Sequence, residues 1–169
     1  MHAPLLRSPT PLVALVLTST LACGGAPSSA ASKGAADTVG ASPAQRCLAD
    51  AEAKHPRQSS EPDRITVKHV LVRYDGSKGA SAAITRTREQ ACLRAEEALA
   101  KLKGGTPFAD VVATYSDESG AATREGSIGA IERSDVAPAF ADGAFELKVR
   151  EVSEVIESPF GFHVILRVE

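Results

Sequence analysis

A chain of 169 residues, 43% hydrophobic and 24% charged with a net charge of −2, has room for one globular domain plus flanking segments. Its near-balanced charge, with Lys and Arg spread along the sequence rather than gathered in a stripe, excludes a general attraction to nucleic acid. Tryptophan is absent and aromatics make up 4%, so a core must be assembled from Leu, Val, Ile, Ala and a few Phe.

The N-terminal segment has the anatomy of an export signal. His2 and Arg7 precede an apolar run from Leu12 to Leu21, which has the length of a secretory h-region and falls short of the about 20 residues a transmembrane helix needs. Leu21-Ala22-Cys23-Gly24 resembles the bacterial lipobox, with Thr20 where that pattern usually has Leu. The resemblance implies a signal peptide over residues 1–22 and a lipidated Cys23 holding the domain at a membrane in the periplasm. Gly24 rather than Asp after the cysteine favours the outer membrane. An ordinary signal peptide with an incidental cysteine, or an uncleaved anchor, are the alternatives. Ala26 to Ser42 is dominated by Ala, Ser, Gly and Thr. It cannot bury enough apolar surface to offset its ordering entropy, so residues 23–43 are expected to form a flexible tether.

Residues 44–63 predict a short helix and a linker. Ala44 to His55 has helix-forming composition with Ala44, Leu48 and Ala51 near one face, and Pro56 is placed to end it. Gln58 to Arg64 is polar and contains Pro62. The domain itself is expected over residues 64–169. Ile65 to Arg73 (ITVKHVLVR) is β-branched and partly alternating, which predicts a strand with Ile65, Val67, His69 and Leu71 on one face and Val70 and Val72 on the other. After a loop with Gly76 and Gly79, Thr87-Arg-Glu-Gln90 fits a capping box. Ala91, Ala95, Ala98 and Leu102 then recur at helical spacing until Lys103, where Gly104-Gly105 stops the helix. Thr106 is expected to cap a second helix with Pro107 at its first position, burying Phe108, Val111, Val112 and Tyr115. A polar loop over Ser116 to Gly126, a short strand over Ser127 to Ile131 and a helical turn over Ala137 to Asp142 follow. Two strands, Glu154 to Ser158 and Phe162 to Val168, flank Pro159-Phe160-Gly161. This order predicts an α+β domain with a small antiparallel sheet. Cys47 and Cys92 can pair in an oxidising compartment or serve as small apolar core residues. Three cysteines without CxxC spacing do not make a zinc site.

Four segments of the domain resemble one family, the parvulins or PpiC-type rotamase domains. KHVLVR (Lys68 to Arg73) resembles their first-strand motif with its histidine. ADVVATYSDESGAATREGSIG (Ala109 to Gly129) is similar to the helix and loop that usually end in Gly-Gly-Asp-Leu-Gly. VAPAF (Val136 to Phe140) resembles the segment lining their proline pocket, and SPFGFHVILRV (Ser158 to Val168) their closing hairpin with its second histidine. Any one match is weak, but four in register over one domain length are specific. The resemblance implies a four-stranded antiparallel sheet surrounded by about four helices, and peptidyl-prolyl cis/trans isomerisation in exported polypeptides. The alternative it leaves is a catalytically weak parvulin-like peptide-binding chaperone.

That chemistry needs an apolar cup and a few fixed polar groups, because only rotation about a resonance-stiffened amide is required. No metal, cofactor or nucleophile is called for. The expected partners are proline-containing clients, with the protein acting as a monomer. By the resemblance, Ile128, Val136 and Phe140 form the cup, although all three can equally be plain core residues. His69 and His163 map to the family's paired histidines and are expected to orient and tune the site rather than pass a proton to substrate. Glu118 stands where the family carries Cys or Asp, with Asp117 as the substitute if the loop is shifted by one; the bland reading is a solvent-facing loop acid. Ser158 maps near the histidine pair or merely begins a turn. Arg73, with Lys78, is the basic element after the first strand. Asp75 between them and the lack of clustered arginines predict no strong requirement for phosphoserine or phosphothreonine before proline, while Thr85-Arg-Thr-Arg88 resembles the phospho-specific eukaryotic members and leaves that alternative open. Glu125-Gly126-Ser127-Ile128-Gly129 lacks the family's first Gly and its Asp, a departure expected to alter the turn into the second strand.

Overall fold

A computed structural model describes residues 40–169; the expected signal peptide, Cys23 and the tether up to residue 39 lie outside the described residues. Four strands, β1 (Arg64–Val72), β2 (Ser127–Glu132), β3 (Ile156–Ser158) and β4 (Gly161–Arg167), form one antiparallel sheet in the order β2-β1-β4-β3. Four helices accompany it: α1 (Pro43–Ala51), α2 (Arg88–Lys103), α3 (Phe108–Tyr115) and α4 (Pro138–Phe145). This is the α+β architecture expected from the sequence.

The alternation of β1 divides the core in two. Val70 and Val72, with Phe162 and Val164 of β4, pack beneath α1, α2 and α3. Ile65 and Val67 face the other way with Ile165, Ile156 and the α4 residues Phe140 and Phe145. Ala91, Ala95 and Ala98 of α2 are fully buried; their small side chains let the helix lie close on the sheet. Thr87 caps α2 as expected, accepting from the Gln90 N–H at 3.3 Å while the Gln90 side chain accepts from the Thr87 N–H at 2.8 Å.

Several element boundaries differ from the sequence reading. The first helix runs from Pro43 to Ala51, opened by a capping box between Ser42 and Gln45, and does not reach His55. Its buried positions are Cys47 and Ala51; one turn further on stand Lys54 and His55, which offer no apolar group to hold another turn against α2. Thr106 does not cap α3. Its N–H donates to the Lys101 carbonyl at 3.0 Å in the turn after α2, and Pro107 takes the N-cap position without a side-chain cap, its carbonyl accepting from the Asp110 and Val111 N–H groups at 3.1 and 3.2 Å. The expected turn around Phe140 is the two-turn helix α4, continuing through Gly143. A Cβ at Gly143 would come within 2.0 Å of Ile156 Cδ1, so this glycine permits close helix–strand packing and does not break the helix. β3 is shortened to three residues.

Cys47 and Cys92 form a disulfide joining α1 to α2, with Cα atoms 6.0 Å apart and a sequence separation of 45. A cross-link of that loop length contributes about 2–4 kcal/mol, chiefly by restricting the unfolded chain. Urea unfolding with and without reductant is expected to show a loss of that size, matched by the Cys47→Ala/Cys92→Ala variant. An unchanged midpoint would mean that the bridge adds nothing to stability.

Candidate active site

β1 and β4 are paired with Leu71 opposite His163 and His69 opposite Ile165. The two histidines therefore sit on one face, diagonally placed, on the side of the sheet covered by α4. Their rings stack with centroids 5.4 Å apart and an interplanar angle of 14°. Both are nearly inaccessible, at 5% and 4% exposure, so each ring nitrogen needs a protein partner. His69 Nδ1 lies 3.2 Å from His163 Nδ1, His163 Nε2 lies 2.6 Å from Ser158 Oγ, and His69 Nε2 lies 2.9 Å from Glu118 Oε2. Ser158 Oγ also accepts from the Phe160 N–H at 3.1 Å.

One proton arrangement satisfies all of these contacts with both rings neutral and Glu118 ionised. Ser158 donates its hydroxyl proton to His163 Nε2, His163 Nδ1–H donates to His69 Nδ1, and His69 Nε2–H donates to the Glu118 carboxylate. The hydrogen bond from His69, supported by the Arg124 guanidinium 2.5 Å away, holds the Glu118 carboxyl below the usual carboxylate range in spite of partial burial. Burial pushes the His163 imidazole well below its usual range, with the nearby Arg73 cation adding to the effect. His163 thus stays neutral in the folded chain while an unfolded chain would take up a proton below about pH 6.5. Its contribution to stability is complete above that pH and declines as the pH falls, by at most about 1.4 kcal/mol per pH unit. The urea midpoint is expected to drop between pH 7 and pH 5.5, and to drop less in His163→Gln; equal slopes would refute the assignment.

Against this pair lies an apolar recess of about 570 Å³. Phe140 of α4 meets both imidazoles edge-on, 5.6 Å from His69 and 5.1 Å from His163 between centroids. Val136 and Ile128 complete the apolar wall. Ile128 owes its position to a bulge. Val67 pairs with Gly129 and Lys68 with Ser127, which leaves Ile128 as the extra residue. In a regular ladder Ile128 would oppose Lys68 and face the α2–α3 side; the bulge turns it to the recess. The turn into β2 is made with Glu125 itself at a φ of 53° where the family has glycine, and Lys68 Nζ reaches its carboxylate at 2.8 Å.

Of the residues singled out from the sequence, His69, His163, Ser158, Glu118, Ile128, Val136, Phe140 and Arg73 all border this recess. Asp117 does not. Its carboxylate accepts from the Arg73 N–H at 2.8 Å and from the Arg86 guanidinium, and its own N–H donates to the Leu71 carbonyl at 2.7 Å. It fastens the loop to the end of β1, so the shifted-loop alternative finds no support. The Arg73 guanidinium donates to the Lys78 carbonyl, and Lys78 Nζ stands 4.9 Å above the Phe160 ring. Sequence reading missed Arg124 beside Glu118, and Pro159 and Phe160 as lining residues. Nothing in the spacing of Arg124 marks it. Among the described residues no three His, Cys, Asp or Glu side chains are gathered as metal ligands. The hydroxyl of Ser158 is buried and held from both sides, so it is not presented as a nucleophile. What the arrangement can do is seat an apolar ring beside a fixed anion in a partly dry site.

Comparison with known proteins agrees with this geometry. The chain is 33% identical over 120 residues to peptidyl-prolyl cis-trans isomerase pin1 of Schizosaccharomyces pombe, covering 69% of each. It is 39% identical over 72 residues to foldase protein PrsA of Halalkalibacterium halodurans, covering 43% of this chain and 22% of that one. The chain therefore spans about a fifth of the foldase's length. The crystal structure of the PPIase domain of TBPAR42 superposes with a TM-score of 0.56 at 34% identity, covering 62% of this chain and 99% of that domain. The family model of the PPIC-type PPIase domain matches residues 53–169, and the chain belongs to that family.

Proposed function

We propose that the chain is a peptidyl-prolyl cis/trans isomerase acting on X-Pro bonds of exported polypeptides. The observation that carries this reading is the apolar recess of Phe140, Val136 and Ile128 set beside an ionised Glu118 that is fastened to a buried histidine pair. The barrier to rotation, about 18–20 kcal/mol, arises because amide resonance places partial negative charge on oxygen and partial double-bond character in the C–N bond. A prolyl ring seated against Phe140 fixes one side of the bond. The Glu118 carboxylate near the carbonyl oxygen disfavours the charge-separated resonance form, and so favours the twisted amide over either planar isomer. The histidines do not exchange protons with the substrate; they hold Glu118 in place and keep the floor of the site rigid.

The setting proposed is the cell envelope. Two features support it: the signal-like segment ending at Cys23, and the Cys47–Cys92 disulfide, a bond that persists mainly in oxidising compartments. The layout is a signal peptide over 1–22, a tether over 23–43 behind a lipidated Cys23, a helix and linker over 44–63 and the isomerase domain over 64–169, acting as a monomer at the outer membrane. Palmitate labelling should be lost in Cys23→Ser; labelling that persists would refute the anchor.

A chymotrypsin-coupled assay on the purified chain tests the activity itself with Ala-Pro, Glu-Pro and phosphoSer-Pro peptides. Turnover is expected on all three. Arg73 and Lys78 are the cationic side chains bordering the recess, with Asp135 nearby, and this is less than the clustered arginines that bidentate phosphate binding favours. The phosphopeptide advantage should therefore stay below about tenfold, or roughly 1.4 kcal/mol. A larger advantage would overturn the substrate assignment, and absence of turnover on every peptide would overturn the isomerase reading.

A further inference from the structure

A second cavity, larger than the recess at about 860 Å³, adjoins it. The two share Ser158 and Pro159 in their walls, and both touch α4. One wall of the second cavity is the chain between α1 and β1, residues 51–57; the other includes Tyr74, Asp142 and Glu157. The first wall has no regular secondary structure but is fastened along its length. It leaves α1 just after the disulfide. Glu52 is bonded to Arg88, and His55 Nδ1 lies 2.6 Å from Glu146 Oε1. Further on, Glu61 accepts from Arg133 at 2.6 and 2.9 Å. A segment anchored at this many points is a built wall and not a loose strand of linker.

The charges in the cleft are unevenly engaged. Glu52 and Glu157 both bind Arg88, Glu157 also accepts from the Tyr74 hydroxyl at 3.1 Å, and Asp142 is paired with Arg133 at 2.7 Å. Lys54 and Arg57, both exposed, have no carboxylate partner among the described residues. Arg57 acts only at longer range, helping to hold the Glu61 carboxyl down. Lys54 and Arg57 are therefore the charged side chains of the lining left without a partner, although acids outnumber bases along it and Glu52 and Glu157 share one arginine.

We infer that this cleft is a second subsite for the polypeptide whose proline occupies the recess, and that it selects clients with acidic side chains flanking that proline. The inference rests on the isomerase reading. A client longer than a few residues must leave the recess somewhere, and the cleft lies next to it, with Ser158 and Pro159 in the walls of both. Lys54 and Arg57, the unpartnered cations of the lining, then meet acidic side chains of the flank.

The test uses the full chain, Lys54→Glu/Arg57→Glu, and three kinds of peptide: a short Ala-Pro substrate, long peptides with a Glu-Glu pair, and the same long peptides with Gln-Gln. The pair is placed about two to six residues before or after the proline, a reach of roughly 7 to 20 Å in extended chain. On one flank the Glu-Glu peptide is expected to show a kcat/KM about fivefold above its Gln-Gln counterpart, the scale of a pair of exposed ion pairs. That advantage should shrink with salt and vanish in the double variant, which turns over the short substrate like the parent. Equal rates for Glu-Glu and Gln-Gln on both flanks, or an advantage that survives the charge reversal, would overturn the subsite. Loss of turnover on the short substrate by the parent chain would instead remove the isomerase reading, and anisotropy of labelled Glu-Glu and Gln-Gln peptides would still report on the cleft.

Discussion

Glu118→Gln is expected to lower kcat/KM for an Ala-Pro peptide by about 10- to 100-fold while leaving the fold in place. Gln keeps the length of the side chain and can still accept from His69 Nε2–H, which now stands 2.9 Å from Glu118 Oε2; what it removes is the charge. A unit charge about 4 Å away acts with about 4 kcal/mol at an effective dielectric of 20. Only the difference between planar and twisted amide counts, and a third to two thirds of that figure gives the stated range. Glu118→Asp retains the charge but draws it back by one methylene, so an intermediate loss is expected. Arg124→Ala leaves the carboxylate but removes its partner at 2.5 Å, and should cost several-fold.

The pH profile carries the same information. Because Glu118 is held below the usual carboxylate range, its charge is present from neutral pH down past the ordinary pKa. Activity should therefore hold until the pH falls below that range, and the acid limb should be absent in Glu118→Gln. If Glu118→Gln turns over within twofold of the parent while Phe140→Ala abolishes peptide binding, the recess holds peptide without electrostatic help. The weak-catalyst chaperone alternative then replaces the mechanism proposed above.

The histidine pair was legible because strand periodicity is rigid. ITVKHVLVR puts His69 on the face of Ile65 and Val67, and FHVIL puts His163 on the face of Ile165; the ladder then had to bring the two together. Phe140 and Val136 came from the family resemblance, since composition alone reads them as core. Ile128 likewise came from the resemblance; strand periodicity alone would put it on the opposite face, because the bulge at Ser127–Gly129 inserts one residue. Arg124 was hidden for a related reason: it returns to Glu118 through a loop in which Gly120, Glu125 and Gly126 all have positive φ, and such a path has no period to read. The disulfide required a Cα separation that no spacing supplies. α4 was read as one turn over Ala137 to Asp142, while it continues through Gly143, whose missing side chain lets Ile156 approach. The cleft beside the recess has one wall made of irregular chain with no motif, so nothing in the sequence announced it.

Gly126→Ala is expected to cost about 2–5 kcal/mol, a large share of the roughly 5–15 kcal/mol that holds a domain of this kind together. Gly126 has a φ of 77°, and a Cβ there would lie 2.5 Å from the His69 carbonyl oxygen and 2.8 Å from Val112 Cγ2. The left-handed backbone alone costs an alanine about 1–2 kcal/mol, and forcing a methyl group into filled space adds about 1–3 kcal/mol. The Gly126 carbonyl also accepts the His69 N–H at 2.8 Å, so any relief of the clash moves the strand residue that carries the histidine. Gly129 supplies the control: its φ is 76°, yet a Cβ there meets nothing within 4 Å. Gly129→Ala should show the conformational cost without the steric one, about 1 kcal/mol. Urea titrations of the two variants separate these contributions, and equal losses would mean that Gly126 is needed only for its backbone angle and not for the close crossing beneath His69.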